Sequence, residues 1–473
     1  MKSQIEAWVD AHAEEIIAET QAILRIPSVT EHESVGPDAP FGRPIADALE
    51  HTLAVCEHAG MTVQNFGGYA GHADFGNISD DAEIVAMLGH LDVVPVGSGW
   101  TMDPWGGEVK DGFLYARGSA DDKGPTYAAL FGARAVLELC QENGVSLSRK
   151  IRLIFGCDEE SGWLCMEHYF GAAGQPKPTL AFTPDATFPV VFAEKGSFTA
   201  VLEKSIAPEA ANDEITVRRF QSGLRPNMVP DRAVAVLAGS EGALQQATLI
   251  LSEREGVRVE QGSEGLLVYA EGKSAHGARP FIGINAAMRL LNALAETPGM
   301  AQSDTAWMTD LAARGATDGS GIGIAGQDEI TTPLTANLGI VHKEADRVQA
   351  TFNIRYPATW DGDDTLGKFT DSVSETHWTV AEMHHTPALY VPPENEPVQT
   401  CLRVYRDFTG DMQAPRTMGG RTYATTVAPV GVAFGAALPG EPEVAHQADE
   451  HFSVERLLLC AKIYGTVLYE LAK

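Results

Sequence analysis

The apolar run Ile84-Val85-Ala86-Met87-Leu88 leads straight into Gly89-His90-Leu91-Asp92. Residues two apart on an extended backbone point to the same side, so His90 and Asp92 face one site together. An imidazole beside a carboxylate is the pairing by which proteins fix the ring of a metal ligand. Four more segments carry candidate ligands. Gly118-Ser119-Ala120-Asp121-Asp122-Lys123-Gly124-Pro125 sets two carboxylates in a glycine-flanked turn ahead of a helix, where Asp121 reads either as a ligand or as an ordinary N-cap. Arg152-Leu153-Ile154-Phe155 delivers Cys157-Asp158-Glu159-Glu160 at its end. Neighbours on extended backbone diverge, so one glutamate can sit on a metal while the other faces an attacking water. Ala181-Phe182-Thr183-Pro184-Asp185 has the same apolar approach and terminal carboxylate, and residues 443–450 hold His446 far downstream.

Taken singly, each acid reads as a solvated turn and His90 as a strand-end histidine. Taken together, His90, Asp121, Glu160, Asp185 and His446 form a mixed imidazole and carboxylate set. Such a set suits zinc, cobalt or manganese rather than a metal that prefers thiolates. Five ligands exceed the needs of one open catalytic zinc and suit two ions sharing a bridging carboxylate.

The elements that must position these residues follow from periodicity. Ile5, Trp8, Val9, Ile16, Ile17, Ile23 and Leu24 recur at helical spacing and Pro27 ends the run, which predicts one opening amphipathic helix, with a second after Pro44. Short apolar runs at 61–63, 84–88 and 151–155 alternate with helical patterns such as 125–140, predicting an α/β domain with a mixed, largely parallel sheet flanked by helices. In such sheets the chemistry gathers at the carboxyl ends of the strands. From about Glu194 the pattern changes: strand-like stretches at 233–237, 265–269 and 350–355 interleave with helical ones at 244–254 and 284–295. This predicts an inserted α+β domain over 194–391, between the two parts of the first domain at 1–193 and 392–473. After Pro392 and Pro393 a helix near 398–405, a strand at 430–434 and a closing helix over 454–471 are expected.

The 473 residues are enough for two cores, and the composition, 44% hydrophobic and 21% charged, is that of a globular chain. No apolar run is long enough to span a bilayer, and the first residues lack a basic start followed by an apolar stretch, so a cytoplasmic protein with no membrane partner is expected. A net charge of −30 repels phosphate backbones and argues against nucleic acid as a partner. Six cysteines without CxxC spacing support neither a thiolate zinc site nor a redox motif; reduced, buried thiols are expected.

Gly89-His90-Leu91-Asp92-Val93-Val94-Pro95, Ala116-Arg117-Gly118 through Asp121-Asp122-Lys123-Gly124, Asp158-Glu159-Glu160-Ser161-Gly162 and the late His446 occur in an order that resembles the co-catalytic metallopeptidases. That family includes carboxypeptidase G, aminoacylase, carnosinase, succinyl-diaminopimelate desuccinylase and bacterial peptidase V. Chance agreement with one motif is easy, with all of them in order it is not, and the likeness covers essentially the whole chain. The resemblance implies that His90 and Asp185 hold one metal, that Glu160 and His446 hold the other, and that Asp121 bridges them. It further implies that Glu159 is the general base, that Asp92 orients His90, and that the Asp121–Asp122 peptide bond is cis.

An Asp at 185 rather than a Glu is typical of peptidase V, peptidase T and carnosinase, which points to dipeptides. Leu224-Arg225-Pro226-Asn227-Met228-Val229-Pro230, Gly272-Lys273-Ser274-Ala275-His276-Gly277 and Asn353-Ile354-Arg355-Tyr356-Pro357 look like the lid segments of peptidase V, a lid large enough to close the site within a monomer. The implied activity is hydrolysis of a small peptide substrate, a dipeptide, by a water activated by two divalent metal ions, with zinc first and manganese or cobalt as alternatives. His276 would then stabilise the oxyanion, and Arg355 would grip the terminal carboxylate with help from Asn227. Two other readings are removal of a succinyl or acetyl group from an amino acid, and a non-catalytic binding protein of the same fold. One departure stands in Met418-Gly419-Gly420-Arg421-Thr422-Tyr423, where the resemblance leads one to expect a third glycine in place of Arg421. Its guanidinium either contacts a substrate carboxylate or points to solvent.

Overall fold

Ile84–His90 is buried at every position and Lys150–Gly156 at all but its first, the pattern of strands covered on both faces. In the computed structural model, which describes residues 1–206 and 214–473, these two strands pair in parallel. They belong to a sheet in which eight strands follow one another in the order Thr62–Asn65, Ala70–Gly76, Lys150–Gly156, Ile84–His90, Leu180–Thr183, Gly431–Ala433, Val191–Glu194 and Leu389–Tyr390. The four middle strands, Lys150–Gly156 through Gly431–Ala433, are parallel to one another, so their carboxyl ends share one edge. Antiparallel strands flank that centre on both sides, which makes the sheet mixed.

Helices cover the sheet. Lys123–Asn143 is buried along most of its length and ends at Gly144 in the left-handed conformation. It crosses the closing helix Val454–Ala472 at a pair of glycines: a Cβ at Gly132 would fall 2.5 Å from the Ala461 carbonyl and 2.6 Å from the Gly465 amide. The single opening helix predicted from periodicity is two helices, Lys2–Ala11 and Ala13–Leu24, interrupted at His12 with φ −107°. The His12 ring stacks on Trp8 at 3.9 Å and its Nδ1 lies 2.7 Å from the Trp8 carbonyl. A one-residue break keeps the apolar face in phase, so hydrophobic spacing does not register it.

The chain divides into two compact units, one formed by Met1–Ala193, Leu389–Thr417 and Arg421–Lys473, the other by Glu194–Ala388 and Met418–Gly420. The second unit is built on eight antiparallel strands in the order Val257–Gln261, Leu266–Glu271, Arg232–Ala238, Thr216–Ser222, Thr335–Glu344, Arg347–Tyr356, Gly196–Ser205 and Thr379–Thr386. Burial alternates along Gly196–Ser205, as expected of a sheet with one covered face. Side chains from the helices Glu241–Ser252, Ala286–Ala295, Gln302–Arg314 and Gly362–Ser374 share its core. All six cysteines are free and buried. Among the described residues no helix is long and apolar enough to cross a membrane.

Candidate active site

His90 ends the Ile84–His90 strand, so its side chain emerges at the shared carboxyl edge of the parallel strands. The residue before it must be small: a Cβ on Gly89 would lie 2.0 Å from Thr126 Oγ1. Glycine there lets the start of the Lys123–Asn143 helix close against the strand. The His90 ring is 1% exposed, with Nδ1 at 2.9 Å from the Asp92 carbonyl and Nε2 at 3.0 Å from Asp121 Oδ1. A carbonyl can only accept, so Nδ1 carries a proton and Nε2 is the atom that faces the carboxylates.

Asp121 lies between two imidazoles: its Oδ1 faces His90, and its Oδ2 is 3.1 Å from His446 Nε2. The bond from Asp121 to Asp122 is cis. Glu450, fully buried, accepts from the amides of Ala120 at 2.9 Å and Asp121 at 3.1 Å, while its other oxygen pairs with the buried Arg117. Asp122 stands at the N-cap position of the helix without capping it by its side chain. Its Oδ2 accepts instead from Thr126 Oγ1 at 2.8 Å and from the His90 amide at 3.3 Å. The N-cap alternative for this acidic pair therefore does not hold.

The Lys150–Gly156 strand delivers the turn that carries Glu159 and Glu160. Asp92 holds this turn, with Oδ1 accepting from the Glu159 amide and Oδ2 from the Glu160 amide, each at 3.0 Å. Its carboxylate is 3.6 Å from His90 Nδ1, farther than its own carbonyl, so the contact to the ring is made by the backbone. Glu160 Oε1 is 2.8 Å from His446 Nε2. Asp185 follows the Leu180–Thr183 strand and groups with His90 and Glu159, as Glu160 does with His90 and Asp121; within each trio the donor atoms lie within 4.8 Å of one another. His446, half exposed, sits at φ +64° in the loop before the closing helix. Asp449 anchors that loop by accepting from the amides of Thr101 at 2.8 Å and Met102 at 3.1 Å.

The electrostatics are those of crowded acids. Burial pushes Glu159 up to about 8, and Glu160, Asp121 and Asp92 add to the effect against the pull of His90. Burial, with Asp121 and Glu159 beside it, pushes Asp185 well above the usual carboxylate range. Asp121 goes the other way: despite its burial, His446 and His90 hold it below that range. His446 in turn is raised to about 10 by Asp121 and Glu160. Four carboxylates and two imidazoles converge here. Oxygen and imidazole donors carrying excess negative charge fit divalent cations of the zinc and manganese type.

Of the remaining expected residues, Asn227 and His276 lie in adjoining segments of the second unit. The Gly277 amide donates to the Asn227 carbonyl at 2.7 Å, and Met228 bridges to His276. Arg355 is on the Arg347–Tyr356 strand opposite Ser197 and Thr335, and its Nη1 donates to the Gly419 carbonyl. Arg421 places its guanidinium over the Trp163 ring, 4.5 Å from the centroid. Sequence reasoning missed the supporting residues Arg117, Asp122, Trp163 and Glu450. The first two and Glu450 stood within or beside the motifs already singled out, but a buried acid and a solvated one look alike in sequence.

Comparison with known proteins agrees with this architecture. A family profile, described as peptidase family M20/M25/M40, matches residues 86–470. A Bacillus subtilis protein named "Putative dipeptidase YtjP" is 37% identical over 476 residues, covering 99% of each chain. A Staphylococcus saprophyticus protein, also named "Putative dipeptidase", is 32% identical over 463 residues, covering 96% of this chain and 97% of its own. Among solved structures, human carnosine dipeptidase 1 superposes with a TM-score of 0.53 at 14% identity, covering 100% of this chain and 99% of that one. Aminopeptidase PepT from Bacillus cereus gives 0.55 at 16% identity, with 98% and 99% covered, a likeness of fold. The family profile spans most of the chain and the relatives match it end to end, and so the protein belongs to the peptidase family M20/M25/M40.

Proposed function

We propose that this protein is a metal-dependent dipeptidase acting in the cytoplasm as a monomer. The observation that carries the reading is the meeting of His90, Asp121, Glu160, Asp185 and His446 beside Glu159 at the carboxyl edge of the parallel strands. The dipeptidase names of its full-length relatives supply the substrate class.

In this reading His90 and Asp185 would hold one cation and Glu160 and His446 the other, with Asp121 shared between them. When bound, two zinc ions, or manganese or cobalt in their place, supply Lewis acidity to a water and to the scissile carbonyl. Glu159 takes the proton of the attacking water on its carboxylate and returns it to the leaving amine. Asp92 keeps Glu159 and Glu160 in place through their two amides. Asn227, His276 and Arg355 are assigned to substrate, His276 toward the oxyanion and Arg355 with Asn227 toward the terminal carboxylate; this assignment rests on their motifs.

The test is turnover by the purified protein, loaded in turn with zinc, manganese and cobalt, of a dipeptide panel beside N-acetyl and N-succinyl amino acids. Dipeptide hydrolysis is the expected result. Turnover confined to the acylated amino acids overturns the substrate class, and no turnover of either set with any metal overturns the enzyme.

A further inference from the structure

The peptide group joining Glu159 to Glu160 is gripped at both ends. Its N–H, on Glu160, donates to Asp92 Oδ2 at 3.0 Å. Its carbonyl, on Glu159, accepts the indole N–H of Trp163 at 2.8 Å. This peptide group joins the two glutamate Cα atoms, so contacts that hold it at both ends limit how far either residue can shift. Asp92 belongs to the motif at the end of the Ile84–His90 strand, whereas Trp163 closes the turn itself: its amide donates to the Asp158 carbonyl at 2.8 Å. Its backbone has φ +64°, a conformation a bulky residue rarely takes, and the residue is buried.

The indole is itself held. Tyr423 meets it edge-on at 5.6 Å and is tied by its hydroxyl to Cys165 Sγ at 2.9 Å. Arg421, two residues earlier on the same loop and exposed, lays its guanidinium over the ring at 4.5 Å. A planar cation at this distance from an indole is attracted to the ring face.

We propose that Trp163 is a positioning residue for Glu159 and that Arg421, with Tyr423, is the clamp that keeps the indole on the Glu159 carbonyl. The proposal rests on the reading of Glu159 as general base. A base displaced by about half an ångström meets its proton badly, which is why its supporting contacts affect the rate rather than substrate affinity. The proposal also gives Arg421 a task other than the substrate contact or solvent position that its place in the sequence suggests.

The test uses the metal-loaded full chain. Trp163→Phe keeps the ring and removes the N–H; kcat is expected to fall about tenfold, the loss of one hydrogen bond, with KM and metal content unchanged. Arg421→Ala, at an exposed position that does not threaten folding, is expected to lower kcat by about threefold, and Arg421→Lys to recover only part of it because an ammonium cannot stack as a plane. The double variant should lose no more than Trp163→Phe alone, since both act through one contact. Amide hydrogen exchange over residues 158–164 should quicken in both single variants. That measurement needs no turnover and so reports on the clamp even if the dipeptidase reading fails. Unchanged kcat and exchange in Trp163→Phe overturn the proposal; a rise in KM alone in Arg421→Ala, confined to substrates with an added carboxylate, overturns the clamp and makes Arg421 a substrate contact.

Discussion

Glu159 and Glu160 are adjacent, yet the structure distinguishes them. Glu160 meets His446 at 2.8 Å, while Glu159 is raised to about 8 by burial and by the acids around it. In the proposed reading Glu159 is the carboxylate left off the metals, and so the one available to take a proton. Glu159→Gln preserves shape and cannot take the proton, so it should lower kcat by at least about a hundredfold. Bound metal, measured by elemental analysis, should stay at the wild-type level. His90→Ala, by contrast, removes a buried donor shared by both trios and should lower metal content along with activity. Equal metal loss in the two variants would make Glu159 a ligand rather than a base.

The elements that carry these residues are held by contacts with little tolerance. Where the helices Lys123–Asn143 and Val454–Ala472 cross, a methyl on Gly132 would collide with backbone atoms of Ala461 and Gly465. Gly132→Ala is therefore expected to destabilise the first unit by about 2 kcal/mol, read as a lower urea midpoint with an unchanged slope. The Ala70–Gly76 strand holds the buried His72, whose Nδ1 lies 2.7 Å from the Tyr169 hydroxyl. Burial, with Arg152 nearby, lowers His72 to about 4 from the ordinary 6.5. Between these values the unfolded chain binds more protons than the folded one, so stability falls as pH drops from 6.5 through 4. The loss should reach roughly 2 kcal/mol, allowing for partial solvent screening. His72→Gln, though less stable at neutral pH, should show a flatter dependence over that window when denatured with urea at several pH values.

At the scale of the whole molecule, the cluster joins distant parts of the chain: His446 reaches Asp121 and Glu160 from a loop that follows all of the second unit. Filling it with divalent cations binds the folded state alone and neutralises carboxylates that otherwise repel. Removal of metal with a chelator at pH 8 should lower the melting temperature by roughly 5 °C or more, and zinc or manganese should restore it. An unchanged melting temperature on chelation would show that the cluster holds no cation in the folded protein.

Local pattern alone was enough to read the strand that ends in His90 and the apolar approaches that lead into Glu159, Glu160 and Asp185, because buried parallel strands are largely apolar and give way to polar residues at their ends. The closing helix was legible for the same reason: periodicity reports which faces are covered. Tertiary structure decided what periodicity does not carry. It placed strands far apart in sequence side by side, so that one edge collects their ends, and it showed which oxygen of Asp121 meets which imidazole. It also separated Glu450 and Arg117, buried and paired beneath the site, from the many solvated charges of a chain with 64 acids, and it revealed the break at His12. The physical reason is that hydrogen-bond partners are chosen by distance in space, and a one-dimensional pattern records only which side of its own element a residue faces.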